Sequence, residues 1–349
     1  MVMNCPRALL LAAFVLGCDS DDSAEQVLPV DVAADDVTTE ADSENESNDL
    51  TAPEDLSEPD VAGEDVPEDP DVADTSAPTP FDWASQPIDA LGPYHPGHRV
   101  VDVVYLPAGQ TEERTIPVHI WYPTEATDGP HPVYEGLFED PKTIDDAPLA
   151  QVAWPGEWPV IVNSHGYQGF AGNSAFLWRH FASHGWIALV PDHTGNTLQG
   201  NIVPRPNWMY YVRSLDITES LNALERDVHG LGIPKEKLGT KRAILSGHSY
   251  GVVSGWASLG ATFLSGDAFV KDGPCGDCTA GELAAFAAGG RDPRLIAGIL
   301  MAGSIDRTWF GPTGHSSVTV PILSMTGSND KVGGDVQFDT TAGIDLTWI

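Results

Sequence analysis

The chain has 349 residues, with 51 Asp and Glu against 17 Lys and Arg, a formal net charge of −34. That length accommodates one large domain plus extensions. A strongly acidic balance with no Lys and Arg patch argues against nucleic acid as a partner.

Residues 1–18 have the form of a signal segment rather than part of a fold. Arg7 supplies the positive start, residues 8–16 an apolar run too short to span a bilayer, and Gly17-Cys18 ends it. Val15-Leu16-Gly17-Cys18 resembles the bacterial lipobox. That resemblance implies lipidation of Cys18, export, and membrane attachment in a cell-envelope or extracellular location; an ordinary signal peptide is the alternative. Residues 19–80 hold 22 of the 51 acids and none of the bases. Their apolar residues are scattered and include no aromatic side chain, so burial cannot offset chain entropy and a disordered acidic linker is expected. The folded domain is expected over residues 81–349.

Within it, residues 99–106 and 115–122 read as a hairpin around Pro107-Ala108-Gly109-Gln110. A Pro-rich irregular stretch follows to about Trp158. Residues 159–163 form a continuous apolar strand, and a helix capped at Asn173 or Ser174 runs to His184 and stops at Gly185. Residues 186–190 are the next buried strand. Trp208, Met209, Tyr210 and Tyr211 fall in the connection after it, either lining a pocket or packing a loop. Ile217, Leu221, Leu224 and Val228 mark the stripe of a helix ending at Gly230. A strand at 241–246 and a helix at 252–259 come next, then an insertion over 261–293, then strands at 295–301 and 320–326. Trp178, Trp186, Trp256 and Phe176 read as core. Strands apolar on both faces and alternating with helices imply a mostly parallel sheet covered on both sides, in the element order of an α/β-hydrolase.

Between the strand at 241–246 and the helix at 252–259 lies Gly247-His248-Ser249-Tyr250-Gly251, a G-x-S-x-G nucleophile elbow in the context that gives the motif meaning. The turn is sharp enough to strain the serine backbone, and side chains at the flanking glycines would collide with strand and helix. Asn163-Ser164-His165-Gly166-Tyr167 leaves the strand from which such folds draw a second oxyanion donor. The backbone N–H groups of Tyr167 and Tyr250 are the expected oxyanion hole. His165 reads as a hydrogen-bonding turn residue and His248 as pointing away from the site. Asp192 and His193 read as loop structure, metal binding being a minor option because no third ligand is evident.

Ser164-His165-Gly166, Ser183-His184-Gly185, Pro191-Asp192-His193 and the elbow occur together, with Gly92-Pro93-Tyr94 and Trp121-Tyr122-Pro123 ahead of them. Over roughly residues 90–349 the chain resembles the platelet-activating-factor acetylhydrolase and dienelactone-hydrolase-like branch of the α/β-hydrolases. The oxyanion and elbow motifs are also similar to those of bacterial cutinases and polyester hydrolases. The resemblance implies ester cleavage through an acyl-enzyme, with no metal or organic cofactor. Cutinase-like members place the catalytic acid in the Gly-x-x-Asp turn occupied here by Asp330; acetylhydrolase-type members use the earlier position, Asp306. The acid expected is Asp330, with Asp306 as the alternative.

A serine needs a base, and the fold order is Ser, acid, His. All eleven histidines lie between positions 95 and 315, so none follows Asp330. Residues 345–349 look like the start of the last strand, after which the family places its histidine, and a sheet truncated there is the expectation. His315 is a third option outside the family order. The function expected is therefore a serine-dependent carboxylic ester hydrolase, acting on a small or polymeric ester. The alternative is a non-catalytic surface lipoprotein that keeps the fold for binding. Cys275 and Cys278 are expected as a local disulfide or as partners of cysteines elsewhere; a zinc site would need two more ligands. Acyl specificity and oligomeric state are not written in the sequence.

Overall fold

The computed structural model describes residues 87–151, 156–327 and 330. The signal segment with Cys18, the acidic segment 19–80 and the strand expected at 345–349 lie outside the described residues.

β1 (His95–Tyr105) and β2 (Arg114–Thr124) form the expected hairpin, with Val100 opposite His119. The Pro-rich stretch, read from sequence as irregular, carries three two-residue strands. β3 (Val133–Tyr134) pairs with β4 (Phe138–Glu139), and β5 (Ile144–Asp145) runs parallel to β1. Next come β6 (Val160–Ser164), α1 (Ala175–Ser183), β7 (Ile187–Pro191) and α2 (Met209–Glu225). β8 (Ala243–His248), α3 (Tyr250–Leu259), α4 (Asp267–Val270) and α5 (Ala280–Ala288) follow. The described chain closes with β9 (Leu295–Met301), α6 (Arg307–Phe310) and β10 (Ile322–Met325).

Eight strands form one sheet in the order β10-β9-β8-β6-β7-β2-β1-β5. β10, β9, β8, β6 and β7 are mutually parallel, and β2 joins β7 antiparallel. This is the mostly parallel α/β sheet expected. Its two faces are apolar for the reason that makes strands alternate. Val160 and Val162 of β6 and Ile187 and Leu189 of β7 enter the core shared with α2 and α3. Ile161, Ala188 and Val190 enter the opposite core, with Trp121 of β2 and Trp178 of α1. Each such fully buried Val, Leu or Ile side chain contributes about 1.5–3 kcal/mol.

Four sequence expectations change. Met209, Tyr210 and Tyr211 are the first turn of α2, not a loop, and all three are buried. The helix ends at Glu225, short of Val228, which is exposed; the chain turns there with Asp227 at φ 53°. Phe176 is 66% exposed, because the buried stripe of α1 runs through Ala175, Trp178 and Ala182, and position 176 faces away from it. The segment read as an insertion contains α5, opened by a Thr279/Glu282 capping box. Nearby, a disulfide joins Cys275, fully buried, to Cys278.

Candidate active site

β8 carries Gly247 and His248 to the C-terminal edge of the parallel strands, and α3 departs from Tyr250. Ser249 lies between them at φ 53°, ψ −119°. A non-glycine residue holds such a backbone only where its surroundings over-determine it, at about 1–3 kcal/mol. Here the surroundings do so by hydrogen bonding and close approach. The Ser249 amide donates to the Met301 carbonyl at the end of β9, at 2.9 Å, and the Ser249 carbonyl accepts from the Val252 amide, also at 2.9 Å. A Cβ on Gly251 would stand 1.9 Å from the Ser164 carbonyl oxygen, and one on Gly247 would stand 2.5 Å from the Gly251 oxygen. The turn closes against β6 only because both positions are glycine.

The segment leaving β6 runs beside the serine. A Cβ on Gly166 would lie 3.3 Å from the Ser249 Cβ and 3.4 Å from His248 Nδ1. Neither the Tyr167 amide nor the Tyr250 amide is bonded to an acceptor among the described residues. The Tyr250 amide follows Ser249 at the positive end of the ten-residue α3, and the Tyr167 amide follows Gly166. His248, expected to point away, has its Nδ1 bordering this segment. Partial burial lowers its pKa, and the negative charge of Asp330 opposes that shift. Asp330 itself accepts from Thr326 Oγ1 at 2.9 Å, and its amide donates to the Gly327 carbonyl at 3.0 Å. Asp306 is differently employed: it caps α6, accepting the Thr308 amide at 3.0 Å. His315 lies in a 3₁₀ turn, Gly314–Ser317.

Beneath the site is a buried polar network that the sequence reading missed. Asp216 of α2 takes both nitrogens of a forked Arg114 contact, at 2.8 and 2.9 Å, the Tyr105 hydroxyl at 2.5 Å, and His193 Nδ1 at 2.8 Å. His193 Nε2 meets Ser164 Oγ at 2.9 Å. The Arg213 guanidinium donates to that same Oγ at 3.0 Å, to Asn196 Oδ1 at 2.6 Å, and to the His165 carbonyl. Burial would raise the Asp216 pKa, but the Arg114 charge outweighs it and holds the carboxyl well below the usual range. Burial, aided by the Arg213 charge, pushes His193 down to about 3, so the imidazole is neutral. Its Nδ1–H donates to Asp216 and its Nε2 accepts from Ser164, fixing one tautomer. Burial also lowers His165 well below its ordinary value; its Nε2 accepts the His193 amide at 3.0 Å.

Ser164, His193 and Asp216 thus have the connectivity of a catalytic triad. All three are fully buried, so no substrate reaches them, and the Arg114 contact ties the carboxylate to structure. The network holds Ser164 and the His165 carbonyl, in the segment whose Gly166 lies against Ser249. A signal was present in the sequence: Arg213 and Asp216 lie in a helix whose neighbouring positions are apolar or small.

Asp192 is likewise structural, accepting the Ala171 amide at 2.6 Å and meeting His119 Nε2 at 3.3 Å. Among the described residues, no cluster of three or more His, Cys, Asp or Glu could hold a metal ion. None of the described helices is long and apolar enough to cross a membrane.

No family model matches the chain, and no curated protein matches it. Among solved structures it is similar to a ferulic acid esterase from Streptomyces cinnamoneus, at 19% identity and a TM-score of 0.41. The match covers 66% of this chain and 64% of that one, so the chain spans less than two thirds of the esterase's length.

Proposed function

We propose that the protein is a serine-dependent carboxylic ester hydrolase. The observation that carries this reading is the strained backbone of Ser249, φ 53°, held between β8 and α3 beside two amides with no acceptor among the described residues. Ser249 Oγ attacks the ester carbonyl, the Tyr167 and Tyr250 amides receive the charge that develops on its oxygen, and the alcohol departs from an acyl-enzyme that water then cleaves. Two amides aimed at an oxyanion are each worth about 2.7–4 kcal/mol of barrier in such sites. Asp330 is assigned as the acid because it stands in the Gly-x-x-Asp sequence after β10, while Asp306 caps a helix. In this element order the base is a histidine that follows the acid, and the sequence given has none after Asp330. The parts assigned within this chain are nucleophile, oxyanion donors and acid.

The motifs quoted above support reading the protein as a member of the acetylhydrolase and dienelactone-hydrolase-like branch, similar in pattern to cutinases. Export and lipid attachment at Cys18 belong to the same proposal. The test is hydrolysis of short p-nitrophenyl esters by the protein. Turnover is expected to fall to background in Ser249→Ala; activity that persists in that variant removes the assignment. Incorporation of labelled fatty acid, lost in Cys18→Ala, tests the anchor.

A further inference from the structure

Resting on that reading, the geometry points to Arg205 as a specificity-determining residue that receives a carboxylate carried by the ester substrate. The guanidinium of Arg205 stands 4.4 Å from the ring centroid of Tyr250, 5.3 Å from that of Tyr167 and 4.8 Å from that of Tyr210. Tyr250 and Tyr167 are the residues whose amides flank Ser249. The loop between β7 and α2 therefore sets a positive charge against the side chains of both oxyanion donors.

Arg205 is the outer of two cations on this wall. Arg213, fully buried, lies 4.7 Å from the Tyr250 ring centroid and donates to Ser164, His165 and Asn196. Arg205 is only half-buried, and its one hydrogen bond among the described residues goes to the Tyr210 hydroxyl, at 2.5 Å. A guanidinium has five donors, so most of its fork is uncommitted. No carboxylate lies within ion-pair distance of it among the described residues, although residues 81–349 hold 29 acids against 16 bases. The Asp306 charge raises the pKa of Tyr210 and Tyr250, but that carboxylate already caps α6. Three aromatic faces hold a cation in place without neutralising it. Such a fork, partly desolvated and open, is suited to bidentate capture of a carboxylate.

The chemistry leaves open whether that carboxylate is on the acyl or the alcohol side of the ester, and the assay separates them. On the acyl side, mono-4-nitrophenyl adipate is compared with 4-nitrophenyl hexanoate; on the alcohol side, 4-acetoxybenzoate is compared with phenyl acetate. In at least one pair, Arg205→Gln is expected to lower kcat/KM for the anionic ester by roughly 10-fold or more, the lower bound for a hydrogen bond to a charged group. The neutral ester is expected to change less than about 3-fold, and Arg205→Lys to retain part of the preference. Equal losses on both members of each pair, or no loss on either, overturn the proposal. Calorimetric binding of monomethyl adipate and of 4-acetoxybenzoate to Ser249→Ala, with and without Arg205→Gln, reads the same contact without turnover. Arg205-dependent binding with no ester hydrolysis by the protein would sink the hydrolase reading and leave the carboxylate site standing; ester hydrolysis without Arg205-dependent selectivity or binding would do the reverse.

Discussion

Replacing Asp216 by Asn keeps the shape of the side chain and removes its charge, which makes it a sharp probe of the network beneath the elbow. The two carboxylate oxygens accept four bonds: one from Tyr105 and one from Arg114 Nε on the first, one from the second Arg114 nitrogen and one from His193 on the other. In either amide orientation the new NH₂ faces an Arg114 N–H, donor against donor. Tyr105 can turn to accept, or His193 can change tautomer, but the guanidinium cannot adapt. It is left buried without its counter-charge, which costs about 3–5 kcal/mol. For a domain of this size that is a fall in Tm of about 6–20 °C. Because His193, Ser164 and Arg213 carry the network on to the segment bearing Tyr167, ester turnover is expected to fall as well, below the unfolding temperature. Thermal denaturation followed by circular dichroism, with turnover measured at 20 °C, checks both parts. A Tm within about 2 °C of the parent would refute the claim that this carboxylate holds the network together.

Gly251→Ala places a Cβ where only 1.9 Å separates it from the Ser164 carbonyl; loss of soluble protein, or of turnover with a large drop in Tm, is expected, and a folded active variant would mean that the elbow is not packed as described. Acid should destabilise the domain in a defined window. His229 is pushed down to about 4 and His193 to about 3, both chiefly by burial. The unfolded chain takes up these protons below about pH 6.5 while the folded chain does not, so their contribution is complete above that pH and is lost as pH falls. Each histidine forfeits about 3 kcal/mol by pH 4, and urea midpoints measured from pH 7 to pH 4 should fall accordingly; a flat profile contradicts the burial assigned to them. Thr279→Ala removes the cap of α5 and should cost about 1 kcal/mol with no change in kcat.

What could be read from the sequence divides along physical lines. β9 was legible to the residue, and β6, β7 and β8 nearly so, because strands buried on both faces are unbroken apolar runs. The elbow was legible because two glycines flank a serine between such a run and a helix. The start of α2 was not: Met209–Ser214 is buried around its whole circumference, so no polar face gives the period away. β3, β4 and β5 are two residues each, too short for alternation. α5 was overlooked although Thr279 and Glu282 have the spacing of a capping box, because the segment around it lacks an apolar stripe long enough to draw attention. Arg114, Arg213 and Asp216 escaped notice because a charge in a helix or at a strand end ordinarily marks the solvent side. Only the fold shows Arg114 bonded to Asp216 and Arg213 joined to it through Ser164 and His193.

The central claim is that Ser249 is the nucleophile, and covalent trapping addresses it directly. The protein is incubated with a fluorophosphonate and digested, and the adduct is located by mass spectrometry. The account predicts one phosphonyl group, on Ser249, absent from the Ser249→Ala variant, with Ser164 unmodified because it is fully buried. An unlabelled Ser249, or an adduct that persists elsewhere in the variant, would contradict it.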